Sequence, residues 1–305
     1  MRVLVMGSGG LGGYYGGILA QRGHDLTFVA RGAHLAALRE RGLEIRAGDE
    51  RTVLRPVEAA ASPAEAGAGF DLVLFTVKGY DAEAAAAALR PAVGPDTAVL
   101  SLLNGIDSIE QLSAALGPEH ALAGTTVISA MILEPGVIAL NSPFRRIEMA
   151  ELTGRQTPRL EAIAEAFREA GVEVTVGTDP WLVVWRKFVP QAPLASLTSA
   201  CQATVGEIRA IPEGAALFRT LVDETIAVGR ALGIALPAEA AEAALELFSG
   251  LPGTHKTSMQ RDFERGGRTE VKQLTGAVAR RAREAGVPTP AFDAVYAILK
   301  VRSQA

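Results

Sequence analysis

The chain has 305 residues, 49% hydrophobic and 21% charged, a balance typical of globular proteins and a length that suits two domains. Its net charge of −4 gives no reason to expect nucleic acid or an anionic membrane as partner. The single cysteine, Cys201, excludes an intrachain disulfide and a cysteine-rich metal site. The first residues lack the shape of a signal peptide, and no stretch approaches the ~20 apolar residues of a membrane span, so a cytoplasmic protein is expected.

Arg2 to Met6 reads as a short buried strand that runs straight into Gly7-Ser8-Gly9-Gly10-Leu11-Gly12. Tyr14 to Gln21 then reads as a helix ending near Gly23. Strand, glycine turn and helix in that order are what a dinucleotide-binding turn needs. Gly7 permits the tight turn, Gly9 lets backbone approach a pyrophosphate, and Gly12 lets helix pack on strand. The helix N-terminus offers N–H groups and a partial positive charge to phosphates. The next strand, His24 to Ala30, ends in Arg31, where an NAD site usually carries an acid for the ribose hydroxyls. A guanidinium there suits a 2′-phosphate, which favours NADP over NAD.

Further along, Leu43–Ala47 and Thr52–Val57 read as a hairpin, and Phe70–Val77 as a fully buried strand ending at Lys78. Tyr80–Leu89 is expected to be helical, Thr97–Leu103 a strand ending at Asn104-Gly105, and Ser108–Leu116 a helix. Strands follow at Leu122–Ser129, Gly136–Leu140 and Arg146–Ala150, then a helix at Thr157–Ala170 and a strand at Val172–Val176. Beyond Gly177 strand signals nearly vanish. Helical segments are expected at Trp181–Lys187, Leu194–Thr204, Glu213–Leu232, Ala238–Leu247, Thr269–Ala285 and Ala291–Val301. The pattern is α/β: a Rossmann-type, mostly parallel sheet over residues 1–177, then an all-α domain over 178–305. Lys78 and Asn104 follow strand ends and are expected to face the nucleotide cleft. The space between the two domains is the default substrate site.

In the helical half, Lys187, Ser258, Asp262 and Glu270 are candidate polar residues. Taken singly, each is the ordinary solvated side chain of a helical surface.

Together with the glycine motif they resemble the ketopantoate reductases (2-dehydropantoate 2-reductases). The resemblance runs through Gly7-x-Gly9-x-x-Gly12, Arg31, Thr76-Val77-Lys78, Leu103-Asn104-Gly105, Gly124-Thr125-Thr126 and Trp185-Arg186-Lys187. It continues in Ser258-Met259-x-x-Asp262, Arg268-Thr269-Glu270 and Arg280-Arg281-Ala282. It implies an oxidoreductase that reduces a 2-oxo acid with NADPH. In it Gly7, Ser8, Gly9, Gly10, Leu11, Gly12, Arg31, Lys78, Asn104 and Glu270 would bind the cofactor. Lys187 would be the general acid and Glu270 its catalytic partner. Asn104, Gln191 and Ser258 would bind substrate, with Ser258 on the carboxylate.

Three positions depart from the family pattern. Gln191 and Ala195 stand four and eight residues after Lys187, where the family usually has asparagines, and His255 stands where it has a third. Pro190 and Pro193 each remove a backbone donor, so the helix is expected to kink just past Lys187. Ser196, Thr198 and Ser199 are the hydroxyls that such a kink would bring in to replace the lost amides. Ketopantoate itself is thereby in doubt as substrate. An opine- or hydroxy-acid-type dehydrogenase on another substrate, and a non-catalytic NADPH-binding sensor, remain as alternatives. The expected partner is a small 2-oxo acid, with no metal, nucleic acid or membrane; a homodimer stays open.

Overall fold

A computed structural model describes residues 1–304. The chain divides into two compact units. One holds residues 1–103 and 108–183. The other holds 104–107 and everything described from Val184 onward.

The first unit begins with β1 (Arg2–Met6), α1 (Gly10–Gln21), β2 (Asp25–Val29), α2 (Gly32–Arg41), β3 (Leu43–Ala47) and β4 (Glu50–Leu54). It continues with β5 (Glu58–Ala60), α3 (Pro63–Ala66), β6 (Leu72–Phe75), α4 (Ala82–Ala88), β7 (Ala98–Ser101), α5 (Ser108–Leu116) and β8 (Ala121–Val127). It closes with β9 (Ala130–Glu134), β10 (Val137–Leu140), β11 (Arg146–Glu151), α6 (Pro158–Glu169) and β12 (Glu173–Val176). Eight strands form one sheet in the order β12-β11-β8-β7-β6-β1-β2-β5, parallel except where β11 meets β8. The period-two alternation of β1 explains why both faces are covered. Val3 and Val5 enter one apolar core, Leu4 and Met6 the other.

A second sheet, β4-β3-β10-β9, lies against α1. α1 is thus held between two sheets, and its glycines allow this. A Cβ on Gly12 would stand 2.3 Å from the Gly7 carbonyl oxygen, and one on Gly17 would stand 2.4 Å from Ile45. The expected strands at 43–47, 136–140 and 146–150 are present, but β9, β5 and α2 were not anticipated. Short strands whose partners are distant in sequence leave little local pattern. α2 has only Leu35, Ala37 and Leu38 buried, so its apolar stripe is too sparse to read.

The second unit holds most of α7 (Pro180–Cys201), then α8 (Val205–Arg209), α9 (Pro212–Ala231), α10 (Ala240–Gly250), α11 (Ser258–Glu264), α12 (Thr275–Ala285) and α13 (Pro290–Arg302). α7 corrects one expectation. The two helical segments read on either side of Pro190 and Pro193 are a single helix of 22 residues with both prolines inside it. Each interior proline costs about 3 kcal/mol. Against that stand Val184, Trp185, Phe188, Val189, Ala192, Leu194 and Leu197, all buried. At about 1.5–3 kcal/mol for each large apolar side chain, burial outweighs the loss, so the helix continues. A second correction concerns Glu270. It lies in the non-helical approach to α12, which begins only at Thr275. α13 is anchored by Glu224 of α9, whose carboxylate accepts the N–H groups of Ala291 and Phe292, each at 2.9 Å. Among the described residues no helix is long and apolar enough to cross a membrane.

Candidate active site

In the first unit, β6, β1 and β2 are parallel neighbours, so their carboxyl ends share one edge of the sheet. β1 leads into Gly7 to Gly12, β2 into Arg31 and β6 into Lys78, which places these three candidates along that edge. This edge lies where the chain order reverses about β1, the position at which open α/β sheets take their ligands.

The loop has a glycine's geometry where it turns. Gly7 has φ +100°, and a Cβ there would stand 2.8 Å from the Val77 nitrogen. Thr76 Oγ1 donates to the Gly7 carbonyl at 2.9 Å, and the N–H and hydroxyl of Ser8 both donate to the Val29 carbonyl, at 3.1 and 3.0 Å. Ser8 therefore shapes the loop with donors already in use. Gly9, the N-cap of α1, differs. It supplies no side-chain cap, and a Cβ placed on it meets nothing within 4 Å. The first N–H groups of α1 point out of the helix without an intrahelical acceptor. An open cradle over an uncapped helix start fits a pyrophosphate. Arg31 is exposed at the N-cap of α2; its carbonyl accepts from the Leu35 N–H at 3.3 Å, and among the described residues its guanidinium has no hydrogen-bond or ion-pair partner. These residues fit a dinucleotide, with a free guanidinium at the ribose end of the motif. Lys78 is exposed at the end of β6.

The second unit gathers four of the sequence candidates around one amide. Lys187 Nζ donates to Asn104 Oδ1 at 2.9 Å, and Gln191 Nε2 donates to the same oxygen at 2.7 Å. Asn104 Nδ2 faces Glu270 Oε2 at 3.4 Å, a long hydrogen bond. Two donors on one side and a carboxylate on the other fix which way the amide points. α7 brings Lys187 and Gln191 together because residues four apart share a helix face. Glu270 is buried, 3% exposed. Burial pulls the Lys187 ammonium down to about 8 from the ordinary 10.5, and the Glu270 carboxylate acts in the opposite sense. The result is a cation held among polar groups, protonated at neutral pH and close to releasing its proton.

Further along the same face of α7 the polar character stops and then resumes. Ala195 is buried and offers no hydrogen-bonding side chain. Thr198 Oγ1 donates to the Leu194 carbonyl at 2.8 Å and also pairs with Thr257 Oγ1 at 3.0 Å. Ser196 pairs with Thr275, hydroxyl to hydroxyl, at 2.7 Å. Two of the three hydroxyls expected as replacements for the missing amides are therefore committed elsewhere; Ser199 is buried with its Oγ unpartnered. Ser258 is exposed at the first turn of α11 and is not part of the Asn104 hydrogen-bonded cluster. Asp262 is half-buried on α11. His255 is half-buried, and burial, aided by the Arg261 charge, lowers its pKa and so favours the neutral ring.

Asp107 had no signal in the sequence, although Arg280 and Arg281 stand among the motifs of the family resemblance. Asp107, in the turn that carries Asn104, accepts hydrogen bonds from Arg280 and from Arg281, the latter at 3.4 Å.

Comparison with known proteins gives the family. Residues 3–154 match the model for ketopantoate reductase PanE/ApbA, and residues 180–303 match the model for its C-terminal part. The chain is 30% identical to a 2-dehydropantoate 2-reductase of Halobacterium salinarum, over 99% of this chain and 98% of that protein. A PanE/ApbA family ketopantoate reductase of Ralstonia eutropha JMP134 superposes with a TM-score of 0.91 at 29% identity, covering 100% of this chain and 99% of its own. D-mandelate dehydrogenase, solved with NADH and anilino(oxo)acetate, shares the fold with a TM-score of 0.91 at 21% identity, over 100% of this chain and 99% of that one. With the glycine turn at the end of β1 and a lysine, glutamate and asparagine cluster in the helical unit, the chain belongs to the ketopantoate reductase PanE/ApbA family and is an oxidoreductase of the 2-dehydropantoate 2-reductase type.

Proposed function

We propose that this chain reduces the ketone of a small 2-oxo acid with NADPH, and that Lys187 is the proton donor. The observation that carries the reading is the Lys187 ammonium, lowered to about 8 and held 2.9 Å from Asn104 Oδ1. NADPH, when bound, would supply a hydride for the ketone carbon. The turn from Gly7 to Gly12 would hold the pyrophosphate, and Arg31 the 2′-phosphate, with Lys78 along the same edge. As negative charge builds on the carbonyl oxygen, the ammonium stabilises it and donates a proton. An acid whose pKa lies near the operating pH does this most effectively. Glu270 and Asn104 keep the Nζ atom directed, Glu270 also receives the product hydroxyl, and Ser258 takes the substrate carboxylate. Asn104 and Glu270 would also contact the cofactor, as the family resemblance implies.

A second reading concerns the substrate. Ala195 has no polar side chain, and Gln191 is already bound to Asn104. Both favour a 2-oxo acid with a less polar tail than ketopantoate, hence a hydroxy-acid dehydrogenase activity on another substrate.

The test is the initial rate of NADPH and NADH oxidation against a panel of 2-oxo acids that includes ketopantoate and apolar-tailed analogues. The expected result is oxidation of NADPH in preference to NADH by at least one member of the panel. Tight NADPH binding with no oxidation across the panel would replace this reading with that of a non-catalytic sensor.

A further inference from the structure

The turn 104–107 leaves the first unit and packs with the helical one. Its neck is closed by Ser101 Oγ and Ser108 Oγ, 2.8 Å apart. Its tip carries Asn104, the amide on which Lys187, Gln191 and Glu270 converge. A four-residue turn does not fix an amide plane by itself. The three converging side chains set which way the amide points, and two further contacts hold the turn that carries it. Gly105, at φ +91°, lies so close to the Gln273 carbonyl oxygen that a Cβ would come within 2.8 Å of it. Asp107, with little of its side chain exposed, is clasped by the guanidinium groups of Arg280 and Arg281 on α12. Arg281 is itself held by Glu284 at 3.1 Å, so it is oriented before it meets Asp107.

We infer that Asp107, through its ion pairs with Arg280 and Arg281, is a positioning residue for the reaction: it latches the 104–107 turn so that Asn104 Oδ1 stays against Lys187. Asp107 touches none of the reacting groups. Its effect passes through the turn to Asn104, and from Asn104 to the ammonium. The charged group acting on Lys187 is Glu270; those acting on Asp107 are the two arginines, with Glu284 beyond them. The inference rests on Lys187 being the proton donor, but its consequence for Lys187 is measurable without turnover.

The experiment is competitive labelling of lysine amines with acetic anhydride across pH. Lys187 is followed by mass spectrometry in the wild type, Asp107→Ala, Asp107→Glu and the paired Arg280→Gln/Arg281→Gln variant. The midpoint reports protonation, whatever the accessibility. In the wild type it is expected near 8. In Asp107→Ala the ammonium loses its acceptor oxygen, the midpoint falls, and labelling at pH 7 rises about two- to three-fold. Asp107→Glu, which keeps the carboxylate, returns most of the shift. The paired arginine variant discriminates best. Removing two positive charges raises an ammonium's midpoint by simple electrostatics, whereas loss of the latch lowers it. An unfolded variant moves toward the ordinary 10.5, again upward. A midpoint that stays put in Asp107→Ala, one that rises in the arginine pair, or a glutamate variant that titrates like the alanine one overturns the inference. Turnover on the best 2-oxo acid is measured alongside and is expected to drop about ten-fold in kcat with a smaller change in KM. If the wild type turns over no 2-oxo acid, the functional reading fails while the labelling still decides the latch.

Discussion

At the scale of single residues, Lys187 combines a stability cost with a chemical use. Its folded pKa, about 8, lies below the ordinary 10.5, so between those values the unfolded chain binds more protons than the folded one. Stability from this group therefore rises as pH climbs from 8 to 10.5 and is lowest below 8, where both states are protonated. Relative to the wild type, Lys187→Met should be most favourable at pH 7, where the wild type bears the cost of its buried ammonium. Denaturant midpoints at pH 7 and above 10 should show that advantage shrinking with pH; an advantage constant with pH would contradict the assignment. In catalysis the sign is opposite. A proton donor is spent once deprotonated, so kcat/KM should fall above pH 8 with Lys187 present. Arg31 makes a second prediction. Arg31→Ala should weaken NADPH by about 1.5–3 kcal/mol, the loss of a hydrogen bond to a charged group, and leave NADH nearly unchanged. Binding titrations of both nucleotides check this, and equal losses would remove the 2′-phosphate from Arg31. The role proposed for Arg31 comes from the strand before it, which ends without an acid. The roles proposed for Lys187 and Glu270 come only through family resemblance, since a lone lysine or glutamate has no distinguishing pattern.

At the scale of elements, α1 and α7 show how local sequence and packing divide the work. Two glycines of α1 separate binding from folding. A Cβ on Gly9 meets nothing, whereas one on Gly12 would stand 2.3 Å from backbone. Gly9→Ala should leave the melting temperature unchanged yet fill the phosphate cradle, weakening NADPH at least about ten-fold, the equivalent of one lost hydrogen bond. Gly12→Ala should destabilise the fold by about 1–3 kcal/mol through overpacking. Thermal melts and nucleotide titrations on the two variants would expose a failure of either half. On α7, the polar stripe of Lys187 and Gln191 gives way to Ala195 before it resumes at Thr198. A ketopantoate tail laid along it would leave polar oxygens without partners, at about 1–3 kcal/mol each. The proposal therefore predicts a kcat/KM for ketopantoate about 10²–10⁴ below that for an apolar-tailed 2-oxo acid. Ketopantoate as the best substrate of the panel would overturn it. In the sequence Pro190 and Pro193 predict a kink and a helix split into segments ending at Lys187 and resuming at Leu194, whereas one helix runs through both prolines. Propensity is a local statement, while the apolar side chains around α7 are buried by elements distant in sequence.

At the scale of the whole molecule, the Rossmann-type sheet was readable because β1, β6 and β7 are continuous apolar runs, each covered on both faces. The second sheet was not, although three of its four strands were expected, because β9 is brief and the partner of β10, β3, lies some ninety residues earlier. The excursion at 104–107 was equally silent. Asn104 ends an obvious strand pattern, and only the folded contacts count its turn with the helical unit. In the proposed mechanism that turn is central, since it brings an asparagine from the first half of the chain to a lysine and a glutamate of the second. The central claim is that this assembled lysine donates the proton. The most direct measurement is single-turnover NADPH oxidation with the best 2-oxo acid, in the wild type and in Lys187→Ala, with NADPH affinity determined for both. The account predicts that the variant loses roughly 10²–10⁴ in rate and binds NADPH almost as well as the wild type. A variant that turns over within a few-fold of the wild type would contradict it.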